Sequence, residues 1–195
     1  MHAEMPRQNS DGSANIGMQL WVDLPEKLKK CEPRYRDLRA KEIPQIDIDD
    51  GKVHIKIISG QSHGVDSVKE LAYTPVWIFD IEIKPGGRIV QNLPEGWNAF
   101  AYTLGGTTSF GVGSDKVTVG EFHNVVFEQK GDEIVAEVEE DAKENGHICK
   151  FDLIFFFYSR FVPNLYGSIE AMVCLRTRSA PMLQLGPARK VSVLA

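Results

Sequence analysis

His2 and Glu4, in the opening string MHAEMP, are the residues whose types and spacing most directly suggest chemistry. In an extended segment alternate side chains share a face, so this imidazole and carboxylate would lie side by side. Both are ligand types of a 2-His-1-carboxylate metal site, which takes three protein groups and leaves positions open for substrate and oxygen. The other histidines supply no third group by spacing. His54 falls on the polar phase of an alternating run, with Lys52 and Lys56. His63 sits in the turn-rich string SGQSHGVDS. His123 alternates with Phe122, so one of the two is expected to face outward, and His147 follows the turn pair Asn145-Gly146. Ser62, His63 and Asp66 are close in sequence, but no G-x-S-x-G elbow accompanies them, so a hydrolytic triad is not expected. The Gly-rich string GGTTSFGVG lacks the Lys of a phosphate loop and reads as a strand flanked by turns. Trp21, Trp77 and Trp97 read as core or barrel-rim aromatics.

The elements that must position these residues are strands. Met18, Leu20 and Val22 alternate with polar or aromatic neighbours up to Pro25. Pro33 and Pro44 interrupt the charged stretch that follows, which predicts a connection with at most a short helical turn around residues 35–41. From residue 52 the period becomes two. Val53, Ile55 and Ile57 form one face, Ile81 and Ile83 continue the pattern, and Pro85-Gly86-Gly87 turns the chain. GWNAFAYTLGG, KVTVGEFHNVVFEQKGD and EIVAEVEED complete a series of short, turn-punctuated strands. The pattern predicts an all-β sandwich or barrel with no amphipathic helix between residues 45 and 140. After about residue 150 the regular period is lost and basic side chains (Arg160, Arg176, Arg178, Arg189 and Lys190) gather on an otherwise acidic chain.

Composition narrows the function classes. A net charge of −5 over 195 residues does not suggest broad electrostatic capture of nucleic acid or anionic lipid. Cys31, Cys149 and Cys174 are widely spaced and odd in number, which fits reduced thiols in a cytosolic or nuclear protein. LIFFFY, residues 153–158, is too short to span a bilayer as a helix. The first residues lack a basic-then-apolar secretory pattern.

The blocks HAEMP, GMQLWVDLP, EPRYRDL, KVHIKIISGQSHGVDS, YTPVWIFDIEIKPGG and LPEGWNAFAYTLGG, over roughly residues 1 to 154, resemble the pirin family of the cupin superfamily. The resemblance implies an all-β cupin-type barrel: residues 1–45 as the last strands of an incomplete N-terminal barrel and a linker, 46–154 as the C-terminal barrel, and 155–195 as a tail outside the family pattern. In pirins the N-terminal barrel holds a non-haem iron and the C-terminal barrel does not. His2 and Glu4 match the later two of the family's iron ligands. The His-x-His partners would precede residue 1, so the expectation is a partial site in a truncated chain. The cupin pattern G-x5-H-x-H-x(3–4)-E-x6-G, started at Gly86, puts Asn92 and Pro94 at the His places and Asn98 at the Glu place, with Gly105 closing it. These types offer neither imidazole nor carboxylate, so no transition metal is expected in this second barrel. Near residue 151 the family's FVLIAG-like strand begins as Phe151-Asp152-Leu153-Ile154 and is then replaced, which a different reading frame or a retained intron would explain.

The family resemblance also implies a function: an iron-binding transcription cofactor of nucleus and cytoplasm, with quercetin dioxygenase activity in some members. The implied cofactor is Fe, and the implied partners are a transcription factor and a flavonol substrate, with no direct nucleic acid and no membrane. Glu4 would be the base toward the flavonol hydroxyl and His2 a neutral ligand. With half of the ligand set missing, the activity is expected to be impaired. The alternatives are a metal-free interaction module and a truncated gene product without function of its own.

Overall fold

The computed structural model describes residues 9–12, 24, 26–68, 73–140, 148–156 and 191–193. The chain divides into two compact units, residues 1–31 with 162–187 and residues 32–161 with 188–195. In the first unit the described residues include one 3-10 turn, Glu26–Leu28. The predicted strand around residues 18–22 lies outside the described residues.

The second unit is built from strands: β1 (Gln45–Ile48), β2 (Val53–Ser59), β3 (Gln61–Ser62), β4 (Val65–Asp66), β5 (Val76–Ile83), β6 (Arg88–Asn92), β7 (Asn98–Gly105), β8 (Thr108–Phe110), β9 (Val117–Val119), β10 (Asn124–Phe127), β11 (Glu133–Glu137), β12 (Cys149–Phe156) and β13 (Val191–Val193). Seven form one sheet in the order β1-β2-β5-β12-β7-β10-β13, and four form a second in the order β6-β11-β8-β9. The short β3–β4 hairpin stands apart. The helical turn expected around residues 35–41 is a single 3-10 turn at Ala40–Glu42.

The period of two explains the layers. Val53, Ile55 and Ile57 on β2 and Phe79, Ile81 and Ile83 on β5 are fully buried, because alternate side chains of each strand meet the opposing sheet. Ile89 on β6, Phe110 on β8 and Ile134 and Ala136 on β11 close the core from that sheet. Phe110 stands at its centre, edge-on to Phe127 at 5.8 Å and to Phe151 at 5.2 Å, the arrangement aromatic quadrupoles favour. β1 joins β2 through Asp49, Asp50 and Gly51, all at positive φ, a conformation that Asp and Gly tolerate better than most residues.

β12 runs antiparallel between β5 and β7 and pairs with both along its length. It continues to Phe156, two residues past the family-like Phe151–Ile154 run, with backbone partners Val76 on β5 and Asn98 on β7. In the remainder of the C-terminal segment, β13 is the described element, and it pairs in parallel with β10.

Candidate functional site

His2 and Glu4 lie outside the described residues, as do Trp21, His147 and Cys174. The site that can be built is the barrel end where β2 and β6 finish and β5 and β7 start. The pattern positions are laid over β6, the following loop and β7. Asn92 ends β6 and is exposed, Pro94 is half-buried in the loop, and Asn98 opens β7 half-buried. The inward polar group is Gln91, which is 2% exposed. Sequence reasoning missed it, although the alternation within RIVQN puts Gln91 on the face of Ile89.

Gln91 is held in place. Its amide nitrogen donates to the Asn92 carbonyl at 2.7 Å, so its oxygen must be the atom facing Ser62. The buried Ser62 hydroxyl donates to that oxygen at 2.6 Å. With the Ser62 proton committed, His63 Nδ1, 2.9 Å from Ser62 Oγ, must be the donor in that contact. Desolvation lowers the His63 pKa from its ordinary value and favours the neutral ring. Asp66 accepts from Gln61 at 2.8 Å rather than orienting His63. Serine, histidine and aspartate are thus neighbours without being a triad: the serine proton points away from the imidazole, and the carboxylate is used elsewhere.

Two half-buried tryptophans finish this end. The Trp77 and Trp97 rings lie 5.4 Å apart and pack against the core, as rim aromatics should. Gly60 lets the chain pass beneath Trp77; a Cβ there would fall 2.2 Å from the indole. His54 lies on the outer face of the large sheet and meets Asp47 at 2.7 Å. One of Phe122 and His123 was expected to face outward on a strand; both are exposed. They precede β10 in a turn, with Phe122 at φ 61, and so escape strand alternation. The Phe122 N–H donates to the Thr103 carbonyl and the His123 N–H to the Thr103 hydroxyl.

The outer face of the large sheet carries a row the sequence reading did not single out. Lys56 Nζ meets Asp80 at 2.7 Å and Glu82 at 4.0 Å, and Lys150 meets Glu82 at 2.7 Å. Asp152 stands directly opposite Asp80 and is 8% exposed. Burial, and then the Asp80 charge, push its carboxyl up to about 7 against a smaller opposing pull from Lys56. The hydrogen bond from Lys150 is the largest influence holding Glu82 below the usual carboxylate range.

Among the described residues, no three His, Cys, Asp or Glu side chains gather as a metal site. At the pattern positions the donors are amides and a proline, which do not fit a transition metal.

A two-sheet barrel whose G-x5-…-G spacing spans β6 to β7 defines a cupin. The model of the pirin C-terminal cupin domain matches residues 78–145. The sequence is 40% identical over 112 residues to a pirin-like protein of Arabidopsis thaliana, covering 57% of this chain and 35% of that one. It is 34% identical over 137 residues to the pirin of Homo sapiens, covering 70% and 45%. Among solved structures, a protein of Geobacillus kaustophilus superposes with a TM-score of 0.59 at 28% identity, covering 70% of this chain and 51% of that one. A quercetin 2,3-dioxygenase of Acinetobacter baumannii gives 0.58 at 22% identity, covering 70% and 43%, a likeness of fold alone. This chain belongs to the pirin family. It spans less than half the length of these two curated relatives.

Proposed function

We propose that the described barrel is the metal-free barrel of a pirin-type cupin and serves as its scaffold and docking module, while metal chemistry falls to His2 and Glu4. The observation that carries this is the inner face at the pattern positions. Gln91 and Ser62 are bound to each other, Asn92 points to solvent, and among the described residues no inward imidazole or carboxylate replaces them. Resemblance to pirins supports a role as a transcription cofactor acting through a protein partner in nucleus and cytoplasm.

The second reading is flavonol dioxygenation, favoured by the match of His2 and Glu4 to two of the family's ligands. Bound iron would supply a centre for holding a flavonol and activating oxygen. His2 would act as a neutral ligand, and Glu4 would accept the proton of the flavonol hydroxyl. These match two of the four ligands that the family resemblance implies, so we expect background turnover from residues 1–195 on their own. Iron content and flavonol-dependent oxygen uptake test this together. One iron per chain with turnover would establish this second reading, and iron that survives the loss of His2 and Glu4 would overturn the assignment of a metal-free barrel.

A further inference from the structure

We propose that Asp152 holds a proton opposite the Lys56-paired Asp80 on the outer face of the seven-stranded sheet, and that losing it loosens β12, the strand joining β5 to β7. The two are direct cross-strand partners, which places their Cβ atoms about 5 Å apart. Asp80 accepts from Lys56 at 2.7 Å, whereas among the described residues no hydrogen-bond donor reaches the Asp152 carboxyl.

Charge counting over the groups that face the pair gives the same answer. Lys56 comes from β2, Asp80 and Glu82 from β5, and Lys150 from β12 itself. Glu82 is matched by Lys150 and Asp80 by Lys56, so among these groups the Asp152 carboxyl is left without a cation. His54, across from Glu82, is engaged by Asp47. On the other flank β7 presents Tyr102, 4% exposed, whose phenol burial keeps protonated, and beyond it lies Asn124 on β10. An almost buried carboxylate without cation or donor is costly, and the inexpensive remedy is a proton. Its upward shift to about 7 agrees.

The consequence falls on one element. β12 holds the sheet together through ladders to β5 and β7, and its register shifts between Lys150 and Phe151, beside Asp152. Deprotonation would set two negative charges directly opposite each other in the β5–β12 ladder, an arrangement that destabilises strand pairing.

The test is a carbon-detected titration of both carboxyls in the full chain from pH 4 to 9. Amide exchange in β12 is followed in parallel and corrected for the intrinsic pH effect. The expected result is one near-neutral titration, that of Asp152, with β12 protection falling through it while β11 protection stays level. Asp152→Asn should abolish both effects, and Asp80→Asn should lower the Asp152 midpoint. Asp152 titrating below pH 5, or the same β12 response in Asp152→Asn, would overturn the proposal. Should the variants fail to fold, the wild-type titration decides alone.

Discussion

The two faces of the seven-stranded sheet have opposite chemistry. The inner face meets an apolar core, and its polar neighbours at the barrel end, Ser62 and Gln91, are neutral and satisfied. The outer face carries ionisable groups, and among the described residues the Asp152 carboxyl meets no donor. In this domain the described interior is apolar and neutral, and the ion pairs stand on the outer face. Where a cupin interior would place imidazoles and a carboxylate, this one has an amide and a hydroxyl engaged with each other.

Breaking the inner face should have the largest effect. Phe110→Ala removes the ring at the centre of the core and should destabilise the domain by about 3–5 kcal/mol in denaturant unfolding. Next comes Asp152→Val, which should stabilise the domain at pH 8 by about 1–3 kcal/mol, because it replaces an uncompensated buried charge by an apolar group. The sign of the pH dependence is specific. The folded value near 7 lies above the ordinary 3.8, so the contribution of Asp152 is fully present below about pH 4 and is lost as pH rises through 7. Wild-type stability attributable to this residue should fall between those limits, and the Asp152→Val difference should grow across them.

Ser62→Ala tests the polar lock. It leaves the Gln91 oxygen and His63 Nδ1 without their shared partner, an expected loss of about 1–3 kcal/mol, read from a shifted urea midpoint with an unchanged slope. The smallest effect is expected of Lys150→Ala. That lysine is half-exposed, so loss of its pair with Glu82 should cost at most about 1 kcal/mol. Because Glu82 is held below its ordinary value, this contribution is present above that value and disappears as pH falls below it.

Much of the barrel was legible in the sequence because burial on one face writes itself as a period of two. Val53, Ile55 and Ile57 announced β2, and Pro85-Gly86-Gly87 marked the end of β5. The pattern spacing from Gly86 to Gly105 located the β6–β7 connection. What escaped depended on three-dimensional pairing. Asn92 held the numbered place, yet alternation turned Gln91 inward. Ser62, His63 and Asp66 looked like neighbours in chemistry, but Gln91 and Gln61, from outside that trio, set their hydrogen bonds. Asp152 was read only as part of the start of the FVLIAG-like strand. Nothing in a linear reading placed it opposite Asp80, because their registers meet across 72 residues of sequence. Phe122 defeated the period for a local reason: a left-handed turn residue does not alternate.

The most direct test of a metal-free barrel is the iron content of the full chain compared with that of a His2→Ala, Glu4→Ala variant, both reconstituted anaerobically with ferrous iron and then passed over a desalting column. The account predicts that no iron remains with the variant, because among the described residues of the barrel no cluster of His, Cys, Asp or Glu replaces those two ligands. Iron retained by the variant at one per chain would contradict it.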